Sequence, residues 1–191
     1  TGTGFVFEAS RFVAVASPFN LNLWALEGAL EPQLKLPGGP LRPLQATDLP
    51  AVAQLFDQYR QFYQQAPNLE AAQRFITQRF ERNESVVLVA QAATGALVGF
   101  CQMYPSFCSV EAAPIYTLYD LFVSPPAREM GTGRQLMRAA QARAAADGMV
   151  RLDLTTARTN VQAQSLYTSL GWVRDEVFLT FNRLVTDADR L

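Results

Sequence analysis

The stretch Leu118–Arg138, LYDLFVSPPAREMGTGRQLMR, decides how this chain is read. Leu118 to Val123 is a short run of apolar and aromatic residues closed by Ser124, Pro125 and Pro126. Such a run reads as a buried strand, and proline, with no N–H to donate, ends its pairing. Beyond it Leu136, Met137, Ala140 and Ala144 recur at helical spacing. Arg128, Gly131 and Gly133 stand just ahead of that helix. Glycines there leave backbone N–H groups open to a ligand, because no Cβ blocks the approach. The helix dipole adds partial positive charge, and Arg128 and Arg134 add full charges. The stretch therefore predicts a strand, a turn and a helix start that takes a phosphate-bearing ligand.

Two common nucleotide loops fit poorly. A dinucleotide fingerprint needs a third glycine where this chain has Leu136, and a Walker loop needs a lysine where Lys35, far upstream, is the only one.

Composition narrows the classes further. The 191 residues suit one domain with an extension, and 49% apolar with 17% charged residues can build a full core. A net charge of −1 without any basic run argues against nucleic acid as a partner. There is no histidine, which removes a Ser-His-Asp triad and any histidine metal site, so no metal is expected. Acid–base work falls to Asp, Glu, Tyr, Cys or water. Cys101 and Cys108 read as a reduced pair, which points to the cytoplasm. No apolar run reaches the ~18 residues of a membrane span.

Taken in order, residues 1–40 form an extension of unclear role, broken by Pro37-Gly38-Gly39-Pro40. The apolar run Phe12–Ala16 is interrupted by Ser17 and Pro18, so a signal peptide is not expected. The main domain is expected at 41–191. Leu41–Gln45 reads as a strand. Thr47 is expected to cap a helix that runs to Tyr63, and Asn68 to cap a second, with Phe75, Ile76 and Phe80 on one face. Ser85–Ala92 and Ala96–Tyr104 make an antiparallel hairpin, and Gly99 within it marks a bulge or a close backbone approach. Residues 105–114 read as a loop and 115–123 as the central strand. Asp147-Gly148 ends the helix, Val150–Thr155 is a strand, Asn160–Leu170 a helix, and Val177–Val185 a last strand. Antiparallel strands feeding a strand–helix–strand unit predict an α/β mixed sheet with helices on both faces.

A second motif lies at Asn160, Ala163, Leu166, Tyr167 and Gly171-Trp172. Taken alone, it reads as a capped helix with Tyr167 as a core aromatic. Together with Arg128-x-x-Gly131-x-Gly133 after a strand, it resembles the GCN5-related N-acetyltransferases (GNAT) over roughly Leu41–Val185. The resemblance implies a mixed, mostly antiparallel sheet that splays after the central strand, with acetyl-CoA as cosubstrate in the cleft. It implies that the backbones of Leu121 and Val123 pair with the pantetheine arm, and that Leu121 or Phe122 polarises the acyl carbonyl. Arg128, Met130, Gly131, Thr132 and Gly133 would surround the pyrophosphate, with Glu129 and Arg134 beside them. Asn160 would face the arm near its acyl end, and Tyr167 would protonate the leaving thiolate. The family commonly has glycine where Glu129 stands, and a carboxylate there is unfavourable unless it faces solvent or pairs with an arginine.

The activity implied is N-acetylation of a primary amine, on a small molecule or a peptide, by direct transfer. Asp120 is the nearest candidate base, and it reads equally as a buried, hydrogen-bonded carboxylate; Glu111 is another candidate. Some polyamine-acetylating relatives have glutamate where this chain has Tyr119, which counts against a polyamine. The expected acceptor lining is aromatic: Tyr59, Phe62, Tyr63, Tyr104, Tyr116, Phe178 and Phe181. It suits an uncharged or amphipathic amine. A homodimer fits the apolar extension. The alternative is a non-catalytic acyl-CoA-binding module, supported by Glu129 and the unassigned base.

Overall fold

The structure is a computed structural model and describes residues 40–186. Most of the N-terminal extension therefore lies outside the described residues. A five-stranded sheet runs in the order β1 (Leu41–Pro43), β2 (Val86–Gln91), β3 (Leu97–Cys108), β4 (Ala113–Val123) and β5 (Leu152–Leu154). The first four strands pair antiparallel, and β5 joins β4 in parallel. Helices α1 (Leu49–Phe62) and α2 (Leu69–Glu81) cover one face, while α3 (Thr132–Ala146) and α4 (Val161–Ser169) lie on the other.

Strand alternation builds two cores from the same strands. Val87, Val89 and Phe100 face Val52, Phe56 and Ile76 of the first helix pair. Leu88, Ala90, Cys101 and Met103 face Leu136, Met137, Ala140 and Ala144 of α3. Strands buried on both faces read as continuous apolar runs, which is why these segments were legible. Asn68 caps α2 as expected, accepting from the Ala71 amide at 2.9 Å. Thr47 does not cap α1. It sits in a 3₁₀ turn held by Asp48, whose carboxylate accepts from the Gln45 amide at 2.8 Å and from Arg42 at 2.5 and 2.9 Å.

The sheet is irregular where the site will lie. Gln102 pairs with Asp120 and Met103 with Leu118, so Tyr119 is an extra residue on β4. Such a bulge reverses the side-chain alternation that follows it. Tyr116 and Leu118 accordingly belong to the α3 core, whereas Phe122 belongs to the α1 core. Pairing to β5 covers only Tyr116 to Leu118, so beyond the bulge β4 has no neighbour on that side. The sheet splays there, as the family resemblance implied.

Gly99 shows both features expected of it. Val98 is bulged opposite β2, and a Cβ on Gly99 would lie 2.9 Å from the Phe122 carbonyl oxygen. Two expectations are corrected. Residues 105–114 are mostly strand, and only 109–112 form the turn. Pro105 is tolerated because β2 pairs no further than Met103, so its side of β3 is an edge. The expected last strand, 177–185, has no regular structure, and Phe178, Leu179 and Phe181 are exposed. Weak alternation does not make a strand without a partner, and β5 offers an edge of only three residues. No helix among the described residues is long and apolar enough to cross a membrane.

Replacing Gly99 with alanine pushes a methyl group into the β4 backbone. The variant should lose about 1–3 kcal/mol in urea denaturation, and an unchanged midpoint would show that β4 moves aside freely.

Candidate active site

The loop after β4 is shaped by its own sequence. Pro125–Ala127 forms a 3₁₀ turn, and Gly131, at φ +85°, begins α3. No side chain caps that helix, so its first-turn amides are free for a ligand. A Cβ on Gly131 would meet only the Gln135 amide nitrogen, at 3.9 Å, so the space above the loop is open. Arg128 donates from Nε to the Val123 carbonyl at 2.9 Å, and Arg134 donates to Ser169 Oγ at 2.8 Å. Each guanidinium keeps further N–H groups for an anion. Dipole, open amides and two arginines together suit a phosphate or pyrophosphate. Glu129 is exposed at φ +63°, a left-handed conformation that favours glycine, and it forms no ion pair with either arginine.

This loop opens into a cleft of about 310 Å³ at the splay. Its walls come from α1, the end of β4, the start of α3, the end of β5 and α4. The Val123 carbonyl, reached by Arg128, faces the open side, and the Phe122 carbonyl faces β3. By alternation the Leu121 backbone faces the open side with Val123. Asn160 accepts from the Ala163 amide at 3.3 Å and so starts α4 at the cleft. Tyr167 lies about two turns further along α4, on the wall. Burial raises its phenol pKa, the neighbouring Tyr63 raises it further, and Thr156 pulls the other way. The hydroxyl thus keeps its proton through neutral pH.

Behind the α1 wall sits a buried acid. Asp120, only 5% exposed, accepts from Gln102 Nε2 at 2.7 Å, and the fully buried Gln102 accepts in turn from Ser85 Oγ at 2.9 Å. Burial raises the Asp120 pKa, and the hydrogen bonds from Gln102 and Tyr59 only partly offset it. The Tyr59 hydroxyl lies beside this carboxylate and donates to the Tyr119 carbonyl at 3.2 Å. Burial, then the Asp120 charge, push its pKa well above the ordinary tyrosine value.

Residues 49–172 match the model of the acetyltransferase (GNAT) family. This chain belongs to the GNAT acetyltransferases. It is 43% identical over 141 residues to an uncharacterized N-acetyltransferase, YhfO, of Bacillus subtilis (strain 168), covering 74% of this chain and 94% of that protein. A solved probable acetyltransferase is 32% identical with a TM-score of 0.72, covering 77% of this chain and 98% of its own. An aminoglycoside N-acetyltransferase, AAC(6')-Iy, solved with CoA, shares the fold at 20% identity and a TM-score of 0.65, covering 75% of this chain and 93% of its own.

In this acetyltransferase the cleft gathers most of the residues singled out from the sequence. Tyr59, Phe62, Tyr63, Leu121, Phe122, Val123, Arg128, Glu129, Gly131, Thr132, Gly133, Arg134, Asn160 and Tyr167 line it. Met130 is exposed outside it, and Asp120 lies behind its wall. Tyr116 is not at the cleft: it is buried on the α3 side, and its hydroxyl donates to Asp147 Oδ2 at 2.7 Å. Tyr104 stands outside the cleft, with its ring edge-on to Tyr119 at 5.7 Å. Phe178 and Phe181 lie exposed in the irregular segment. Glu111 pairs with Arg151 at 2.8 Å, away from the cleft. Sequence reading missed Tyr119 as a lining residue, and also Thr155, Gln162 and the buried Gln102. Only Gln102, a polar residue in an apolar strand, carried a signal.

Replacing Glu129 with glycine removes a left-handed conformational cost of ~1–2 kcal/mol and adds ~0.4–1 kcal/mol of unfolded-chain entropy. The variant should gain up to about 1 kcal/mol in denaturant unfolding. A loss of stability would mean that the Glu129 side chain holds the loop.

Proposed function

We propose that this acetyltransferase moves the acetyl group of acetyl-CoA directly onto a primary amine. The observation that carries the reading is the meeting, in one cleft, of an uncapped cationic helix start and a protonated tyrosine. The α3 amides with Arg128 and Arg134 would hold the pyrophosphate, and the free backbone of Leu121 and Val123 would take the pantetheine arm. Holding both reactants in place removes up to ~7–11 kcal/mol of the barrier.

The amine nitrogen attacks the thioester carbonyl carbon, the Leu121 N–H polarises the carbonyl, and the carbon–sulfur bond breaks. Tyr167 gives its proton to the departing thiolate and is reprotonated by the second proton, which the attacking nitrogen sheds as the amide forms. The proton lost by the ammonium passes to Asp120 through the Tyr59 hydroxyl, which lines the cleft and adjoins the carboxylate. A raised pKa makes Asp120 a stronger base than an ordinary carboxylate. A cysteine route has little support: Cys101 is fully buried, its thiol is pushed up to about 12 by that burial, and Cys108 lies outside the cleft.

Tyr167→Phe should lower turnover by ~10²–10⁴ while acetyl-CoA binding, followed by calorimetry, is retained. Unchanged turnover would remove Tyr167 from the acid role.

For Asp120 the folded pKa lies above the unfolded one, so the stability it contributes is present at low pH and lost as pH rises through the folded value. Asp120→Asn should therefore melt higher than the parent at pH 8, with the gain vanishing near pH ~4. The same variant should lose most of its turnover, together with the acidic limb of the kcat/KM profile. A variant that keeps that limb would place the base elsewhere.

A further inference from the structure

The cleft has two chemically different ends. One carries Arg128, Arg134 and the start of α3. The other is walled by Tyr59 and Phe62 of α1, by Tyr63 just after it and by Tyr119 of β4. These rings brace one another edge-on: Tyr59 and Tyr63 are 5.1 Å apart at 71°, and Phe62 and Tyr63 are 5.2 Å apart at 89°. Tyr119 leans on Tyr104, its Tyr59 partner gripping only its carbonyl. Phe62, Tyr63 and Tyr119 are 54%, 42% and 68% exposed, so a preformed aromatic rim faces water.

Charge at this end is limited. Among the described lining residues Glu129 is the one carboxylate, and it belongs to the arginine end. Asp120, behind the wall, is the acid whose charge reaches Tyr59, and Gln102 already occupies one of its oxygens. A first ammonium has a proton acceptor there. A second would lose its water without gaining a carboxylate, which is strongly unfavourable.

We propose that the acceptor is an amine bearing one positive charge on an apolar body of about the size of an aromatic ring, of the arylalkylamine class. Polycationic amines are poor acceptors for this chain, although the fold also serves aminoglycoside acetylation at 20% identity. The proposal rests on the amine-acetyltransferase reading above.

The test compares 2-phenylethylamine, hexylamine, spermidine and an aminoglycoside as acceptors by thiol release from acetyl-CoA, beside calorimetric binding of each amine to the CoA-loaded protein. We expect kcat/KM for phenylethylamine to exceed that for spermidine by roughly a hundredfold. Tyr119→Glu, at an exposed side chain that folding does not need, places a carboxylate on the aromatic wall and should narrow the gap at least about tenfold. Spermidine or the aminoglycoside equalling phenylethylamine in the parent protein would overturn the proposal. If no amine is acetylated but phenylethylamine binds, and binds more weakly in Tyr63→Ala, the transfer reading falls and the ligand class stands. Absence of both turnover and phenylethylamine binding overturns the class as well.

Discussion

The arrangement of this enzyme depends on one extra residue, Tyr119, in its central strand. The bulge turns the side chains that follow it to the opposite faces, and in the same place the parallel partner strand stops. Without it, strict alternation would send Asp120 and Phe122 to the α3 side with Tyr116 and Leu118, and Tyr59 would have no acid beside it. Beyond the bulge, Leu121 and Val123 present free backbone to the cleft, and Tyr119 itself lines it. A local defect in pairing thus lies at the cavity and sets the face on which its buried acid stands.

Electrostatics then divides that cavity. The α3 end is positive because an uncapped helix start, whose N-cap is Gly131, adds its dipole to two arginine charges. The α1 end is aromatic, and Asp120, the acid beside Tyr59, is buried behind it. Keeping Asp120 there costs stability, which the Gln102 and Tyr59 hydrogen bonds reduce without cancelling, since burial still dominates its pKa. The same burial that makes the acid expensive makes it more basic and places Tyr59 beside a proton acceptor.

Much of the fold and of the cationic end was legible because local chemistry fixes both. Prolines end β4, glycines open α3, and Asn68 and Asn160 each accept the backbone amide that their helix positions demand. Those features depend on neighbours within a few residues. The acceptor end was less legible because it depends on register. Tyr116 and Tyr104 were expected at the cleft, but a bulge has no fixed sequence signature, and it decides which face each aromatic takes. Residues 177–185 show the same limit: alternation records a possible strand face and says nothing of whether an edge exists to receive it. The described edge at β5 is three residues long.

Tyr59 joins these two kinds of constraint. Its ring stacks with Phe56 at 6.0 Å and meets Phe100 and Phe122 edge-on, so the α1 core holds its position. Its hydroxyl, at the far end of the same rigid ring, meets the bulge carbonyl and the buried acid. A tyrosine has only two side-chain torsions, so fixing the ring in the core also fixes where the hydroxyl stands. Core packing on the α1 face is therefore also active-site geometry. A repacking substitution at Phe56 or Phe100 would reach the proposed proton path without altering any residue that lines the cleft, because that path begins on a ring those two residues hold.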